Sequence, residues 1–420
     1  MRMKLNKSSQ LALVSAAGFL AAILVTACSQ LTQTLTVDFV YVATSKAAGA
    51  NNYGEINVFE IDSESGHMRQ IPSSPFPSAG RDPVAEAVSA DNEDLFVANQ
   101  DDNTIVQFVI GTDGKLYPYN TVNTPGIFPL ALATNKTNLF VVDTYEPLPI
   151  CSTADPCSGS IAVYPLSTAT SSAPVTLGSP AVNPSVGASY WPLTVPSAPS
   201  DVIVPTAVNV LASGAYVYVT AYDSSVTPNR GYVFGFAVGS GGTLTPLNGG
   251  VPHDMGIGSK GLGIRPSAIA SDPTSTYVYV TDSTNGIVVG YSVSSGVLNL
   301  IGDTPAGGQP SAIVSDPAYP YIYVANSLDA TVNAYSMSNG ALTNLGTYQT
   351  GLQPVAIGID PSTQHFLYTV NFLSNTVSGF ELSPTAGTLV NTQFSPYGTD
   401  AQPTAVAAIP HKGTGAGVTP

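Results

Sequence analysis

The sequence predicts an all-β fold, a seven-bladed β-propeller of four-stranded antiparallel blades in which a C-terminal strand closes the first blade. Three observations predict it. The stretch "YVYVTDSTNGIVVGYSV" (277–293) returns as "YIYVANSLDATVNAYSM" (321–337) and as "FLYTVNFLSNTVSGFEL" (366–382). Each copy alternates β-branched or aromatic residues with small ones and ends near a turn containing glycine. The two ends of the repeat array also complement each other, one lacking a strand that the other supplies.

Aligning the units on the aromatic of the strongest strand gives Tyr41, Phe96, Phe140, Tyr218, Tyr279, Tyr323 and Tyr368. The tight spacings are 44 residues (Phe96 to Phe140), 44 (Tyr279 to Tyr323) and 45 (Tyr323 to Tyr368). A period of that size marks one array of supersecondary units, which overrides any division of the chain into domains by length. Within a unit, "PSAIASDP" (266–273) reads as a short inner strand, "YVYVTD" and "IVVGYSV" as alternating strands, and "LNLIG" as a fourth. Four strands of about five or six residues with their turns fill such a period, and repetition around a ring makes a propeller. Between third and fourth strands lie Ser65-Gly66, Asp113-Gly114, Gly241-Gly242, Ser295-Gly296, Asn339-Gly340 and Ala386-Gly387. Glycine supplies the positive φ that tight hairpins need. The third unit, around Ser167 to Ala173, lacks it. The first unit begins near Val37 without a "P-x-A-I" strand, and "QPTAVAAIP" (402–410) supplies that strand, removing an open edge. The propeller therefore spans 37–410, and His411 to Pro420 reads as a disordered tail.

Residues 1–27 read as a secretory signal: Arg2, Lys4 and Lys7 precede an apolar run from Leu11 to Val25 that is too short to span a bilayer. Leu24-Val25-Thr26-Ala27-Cys28 resembles the bacterial lipobox. Cys28 would then be the lipidated N-terminus, followed by a linker, 28–36, and the protein would be held in the cell envelope, on a periplasmic or outer-membrane face. Cys151 and Cys157 remain, and an exported chain favours a disulfide between them that stiffens one loop. Once the signal leaves, nine Lys+Arg face 27 Asp+Glu. Without a basic stripe to displace counterions, nucleic acid is excluded as a partner. The chain carries no P-loop, dinucleotide fingerprint or HExxH, so neither a cofactor nor a metal is expected, and a monomer is.

"YVTDS", "YVANS", "FVANQ" and "YTVNF" resemble the YVTN-type repeat. The order P-x-A-I, DP, YVYV-(T/A)-(N/D), V-x-x-Y, G-x-L is similar to that of the bacterial seven-bladed propeller lactonase family, which includes 6-phosphogluconolactonases. The resemblance covers 37–410 and implies the fold; many relatives share the repeats without sharing chemistry. It also implies that active members carry Arg-His directly after a first-strand proline. Here those slots read Val84-Ala85, Leu130-Ala131, Thr206-Ala207, Ser267-Ala268, Ser311-Ala312, Val355-Ala356 and Thr404-Ala405. The column Asn99, Asp143, Asp282, Asn326 and Asn371, interrupted at Thr44 and Tyr222, recurs regardless of blade and reads as turn-capping architecture.

Chemistry is sought where the units differ. Insertions fall after the "YV" strands (45–55, 144–160, 222–231) and in the links to the next blade (178–204, 251–265), loops that emerge on one face of the disc. The residues preceding each first-strand proline, Asp82, Phe128, Val204, Arg265, Gln309, Gln353 and Gln402, ring the channel mouth on that face, a concave polar setting for a ligand. Glu86 stands where later units have Ile269, Ile313 and Ile357. A buried carboxylate there needs a cation such as Arg81 or Arg265, or a catalytic duty. Two readings stay open. In one, the decorated face binds a small anionic or sugar ligand, or an envelope protein, through Arg81, Asp82, Phe128, Arg265, Gln309, Gln353, Gln402 and Trp191 of the Tyr190-Trp191 pair. In the other, a lactone hydrolase uses Glu86, His253 and Arg265 as its catalytic groups. Asp101-Asp102-Asn103 reads as a solvated turn rather than a calcium loop.

Overall fold

The computed structural model describes residues 37–48, 51–62, 65–167, 174–256, 264–360 and 366–410. The signal segment, Cys28, the linker and the tail 411–420 lie outside them. Seven antiparallel sheets follow one another. Blades two to seven lead from the inner strands Pro83–Val88, Ile127–Thr134, Ile203–Val210, Pro266–Ser271, Pro310–Ser315 and Pro354–Ile359. Blade one takes its inner strand, Pro403–Ile409, from the far end of the chain, with Phe39 opposite Ile409 and Ala43 opposite Ala405. The ring is closed by hydrogen bonds between its two ends.

Packing closes it as well. Alternation along each strand sends successive side chains to opposite faces of the sheet, so the apolar core is divided among the gaps between neighbouring blades. Tyr279 and Val288 of blade five pack on Ile313, Ile322 and Val324 of blade six, and Val40 and Val42 of blade one pack on Tyr368 and Val377 of blade seven. The leading tyrosine is also a staple. Tyr41 donates its hydroxyl to the Gly114 carbonyl of the next blade at 3.1 Å, Tyr218 to Gly296 at 2.8 Å, Tyr279 to Gly340 at 3.0 Å and Tyr323 to Gly387 at 3.2 Å. Those carbonyls belong to the glycine hairpins. Gly340 has φ +79°, and a Cβ there would lie 2.6 Å from the Tyr277 ring of the preceding blade, so close approach and turn geometry both require glycine. The corresponding stretch of blade three, around Ser167 to Ala173, has no glycine in its sequence, and blade two, which would staple to it, carries Phe96.

The Asn/Asp column stands opposite the first-strand prolines, as in Pro83↔Asn99 and Pro266↔Asp282. Its blade-four member is Ala221, opposite Pro205; Tyr222 lies one residue further, opposite Val204. The expected bond to the chain two residues on forms at Asp282, which accepts from Thr284 N at 2.9 Å. The recurring work is different: the side chain grips the link entering its own blade, Gly126 N donating to Asp143 and Gly307 N to Asn326.

Candidate ligand site at the axial mouth

Five residues of the proline-preceding ring, Asp82, Phe128, Gln309, Gln353 and Gln402, hold φ between +52° and +62°. A non-glycine residue tolerates this region only when its surroundings hold it there. Here the holding groups are backbone donors just after each blade's second strand: Gln100 N reaches Asp82 O, Ser327 N reaches Gln309 O and Phe372 N reaches Gln353 O. Arg265 O accepts from Ser283 N in the same way. The ring is thus fixed from below by the blade itself.

A cavity of about 1120 Å³ opens on this face, on the side of blades four to six. Val204, Arg265 and Gln309 of the ring line it, and Asp82, Phe128, Gln353 and Gln402 do not. Phe128 packs edge-on against Tyr145 at 6.0 Å, and burial together with Asp101 pushes the Asp82 carboxyl up. The floor is made of hydroxyls that occupy the slot after the proline, Thr206, Ser267 and Ser311. Two of them stitch neighbouring inner strands, Ser267 Oγ donating to Pro310 O at 2.5 Å and Ser311 Oγ to Pro354 O at 2.7 Å. The Arg265 guanidinium lies 5.0 Å from the centroid of the Tyr222 ring and donates to its hydroxyl at 3.4 Å. Among the described residues it enters no salt bridge. A cation stacked on an aromatic face keeps its N–H edge available for an anion. Tyr222 and the hydroxyl floor escaped sequence reasoning, although Ser or Thr after the proline in four of seven units was a usable signal.

The three candidates for hydrolysis occupy three different places. Glu86 lies between blades one and two, in the position that Ile313 fills between blades five and six. Its carboxyl oxygens are buried without a hydrogen-bond partner, and burial pushes its pKa well above the ordinary carboxylate range. The expected cation is absent: Arg81 instead pairs with Asp102, Nε to Oδ1 at 2.6 Å, an exposed brace that fixes the link loop. His253 belongs to the two-residue outer strand His253–Asp254 of blade four and stands edge-on to Tyr291 of blade five at 4.8 Å. Burial lowers its pKa. Only Arg265 lines the cavity. Trp191 is 2 % exposed and pairs with Ile161 as the fourth strand of blade three; it anchors its own insertion and offers no face to the axial mouth. Cys151 and Cys157 form a disulfide in the loop after the second strand of blade three. Among the described residues, no group of three or more His, Cys, Asp and Glu side chains is placed to hold a metal ion.

Comparison with known proteins bears on this geometry. Residues 240–359 match the family model for the lactonase, 7-bladed beta-propeller, a stretch from the blade-four hairpin to the inner strand of blade seven that includes Arg265, Ser267 and Ser311. No curated protein matches the chain. Among solved structures, a candidate 6-phosphogluconolactonase of Bacteroides fragilis superposes with a TM-score of 0.65 at 18% identity, covering 90% of this chain and 99% of that one. The periplasmic gluconolactonase of Pseudomonas aeruginosa gives 0.65 at 17% identity, covering 89% and 99%. At such identity the likeness is one of fold. With its seven blades and closing strand the chain is a seven-bladed β-propeller, and over residues 240–359 it is similar to the lactonase family of that fold.

Proposed function

We propose that this chain is an exported, lipid-anchored propeller that binds a small anionic, hydroxyl-rich ligand at the axial mouth and does not hydrolyse it. One observation carries the reading: the cavity lining combines a single cation, Arg265, with hydroxyls and amides, and the described lining residues include no carboxylate and no imidazole. Hydrolysis of a lactone needs a base within hydrogen-bond reach of the attacking water. Binding needs only the cation and the donors. The lipobox at Cys28 supplies the anchor.

The alternative, hydrolysis of a sugar lactone, draws on the likeness to gluconolactonases and would require a base brought in from outside the described lining. Calorimetric titration of the soluble domain with gluconate and 6-phosphogluconate, beside a lactone hydrolysis assay, separates the two. We expect salt-sensitive binding, weakened at least tenfold (~1.4 kcal/mol) by Arg265→Gln with an unchanged melting temperature, and no turnover. Turnover that Arg265→Gln abolishes would establish the hydrolase instead. A lowered melting temperature with binding intact would reduce Arg265 to a brace. For the anchor, mass spectrometry of the native protein should find acyl chains on Cys28, and Cys28→Ala should release the protein; a mature N-terminus elsewhere rejects it.

A further inference from the structure

The Asn/Asp column at the end of the second strands faces the third strand as well as the link. In blade six Asn326 stands opposite Thr331, with Asn333 two positions on, and in blade seven Asn371 stands opposite Thr376, with Ser378 two positions on. The asparagine amide serves both neighbours. Asn326 Nδ2 donates to Thr331 Oγ1 at 3.1 Å and to Asn333 Oδ1 at 2.8 Å. Asn371 Nδ2 donates to Thr376 Oγ1 at 3.1 Å and to Ser378 Oγ at 3.0 Å. The other half of the Asn326 amide, Oδ1, accepts from Gly307 N at 2.9 Å.

Blade three alters this arrangement. Asp143 replaces the asparagine, opposite Ser160, and Ala162 takes the place of Asn333 and Ser378. Asp143 Oδ2 still accepts from the link, from Gly126 N at 3.1 Å. Its Oδ1 therefore corresponds to the amide nitrogen, an acceptor where blades six and seven put a donor. Asp143 and Ser160 are both 0 % exposed, and neither Asp143 Oδ1 nor Ser160 Oγ has a hydrogen-bond partner among the described residues. An acid in this column is not by itself the cause. Asp282 of blade five accepts from the backbone N–H groups of Ile264, Arg265, Thr284 and Asn285, and the residue opposite it is Ile287. In blade three a buried carboxylate oxygen and a buried hydroxyl lack such donors, and Ala162 is shorter by the amide or hydroxyl used elsewhere.

We propose that Asp143 Oδ1 and Ser160 Oγ are ligands of a monovalent alkali cation, which takes the part of the amide N–H groups of blades six and seven. Oxygen donors suit a hard cation, so no cluster of acids or imidazoles is required. A single carboxylate selects a single positive charge, since surplus charge in a buried setting would go uncompensated. Its place in the chain gives the ion a task. Asp143 and Ser160 stand at the two feet of the insertion that the Cys151–Cys157 disulfide stiffens, and Gly126 belongs to the link that ends at Phe128 of the ring. A cation there pins insertion and link to the same blade. The site does not depend on what the axial mouth binds.

The test uses the whole soluble domain, freed of alkali ions by dialysis into choline chloride. At one pH and constant ionic strength, replacing choline by sodium or potassium should raise the melting temperature saturably, by about 2 °C at roughly tenfold excess over half-saturation. Asp143→Asn restores the amide donor of the other blades and should fold without responding to either ion. Ser160→Ala removes one ligand and should raise the half-saturating concentration about tenfold. Sodium NMR reads the ion directly, with line broadening by the wild type that Asp143→Asn lacks. Equal melting temperatures in choline, sodium and potassium would overturn the proposal and leave a proton or a water between the two oxygens. A response that Asp143→Asn retains, or one confined to calcium, would overturn it equally.

Discussion

The gap between blades five and six and the gap between blades one and two are built to one plan, and they differ in a single decisive residue. Both hold a leading tyrosine bonded to the next blade's hairpin carbonyl, Tyr279 to Gly340 in one and Tyr41 to Gly114 in the other. Against that ring the first gap places Ile313 and the second places Glu86. Ile313 belongs to a continuous apolar cluster. Glu86 puts two buried, unbonded oxygens in the same geometry. The comparison teaches that a carboxyl in this gap is pushed toward its neutral form, because desolvation penalises the ion and raises its pKa.

The largest expected effect comes from copying the acid into the ordinary gap. Ile313→Glu should lower stability by about 4 kcal/mol, through lost apolar burial and a buried unpaired polar group, read as a fall in denaturation midpoint. A loss below about 1 kcal/mol would mean that these gaps are wetter than their packing implies. The reverse change, Glu86→Ile, should stabilise by about 2 kcal/mol, because it removes an unsatisfied group without removing a partner.

Next in size is the dependence on pH. Burial pushes Asp94 to about 6 and Asp143 to about 7, and raises Glu86 as well. Unfolded carboxyls titrate near pH ~4. Between those limits the fold binds more protons than the unfolded chain, so stability falls as pH rises. Thermal unfolding should therefore give a higher melting temperature at pH ~5 than at pH ~7. Glu86→Ile should flatten that slope; an unchanged slope would show that Glu86 titrates normally. The smallest effect separates the shared staple from the differing residue. Tyr279→Phe and Tyr41→Phe should each cost about 1 kcal/mol. A markedly smaller loss for Tyr41 would mean that the neighbouring acid already weakens its bond. Phe96→Tyr should bring no gain, since the matching stretch of blade three lacks the glycine whose carbonyl receives the hydroxyl elsewhere.

Much of this was legible beforehand because it is local. Strand alternation, the Gly-containing hairpins and the spare strand at 402–410 are written in adjacent residues, and they led to seven blades and to the closing strand. The anomaly at Glu86 was also visible, as one acid in an isoleucine column. The site was only partly so. Arg265 was singled out from its position before a proline, but its partner was sought among acids and proved to be the ring of Tyr222, 43 residues away.

By itself the sequence determined the repeat, because each strand and turn depends on side chains within a few positions and the period adds them up. Tertiary structure decided what those positions meet. It put His253 in an aromatic packing slot rather than in a cavity, and buried Trp191 under its own insertion. It also gathered hydroxyls from three blades, one period apart, into a single floor. Contacts of that kind depend on the rotation from one blade to the next, which no short stretch of sequence encodes and which only the closed ring fixes.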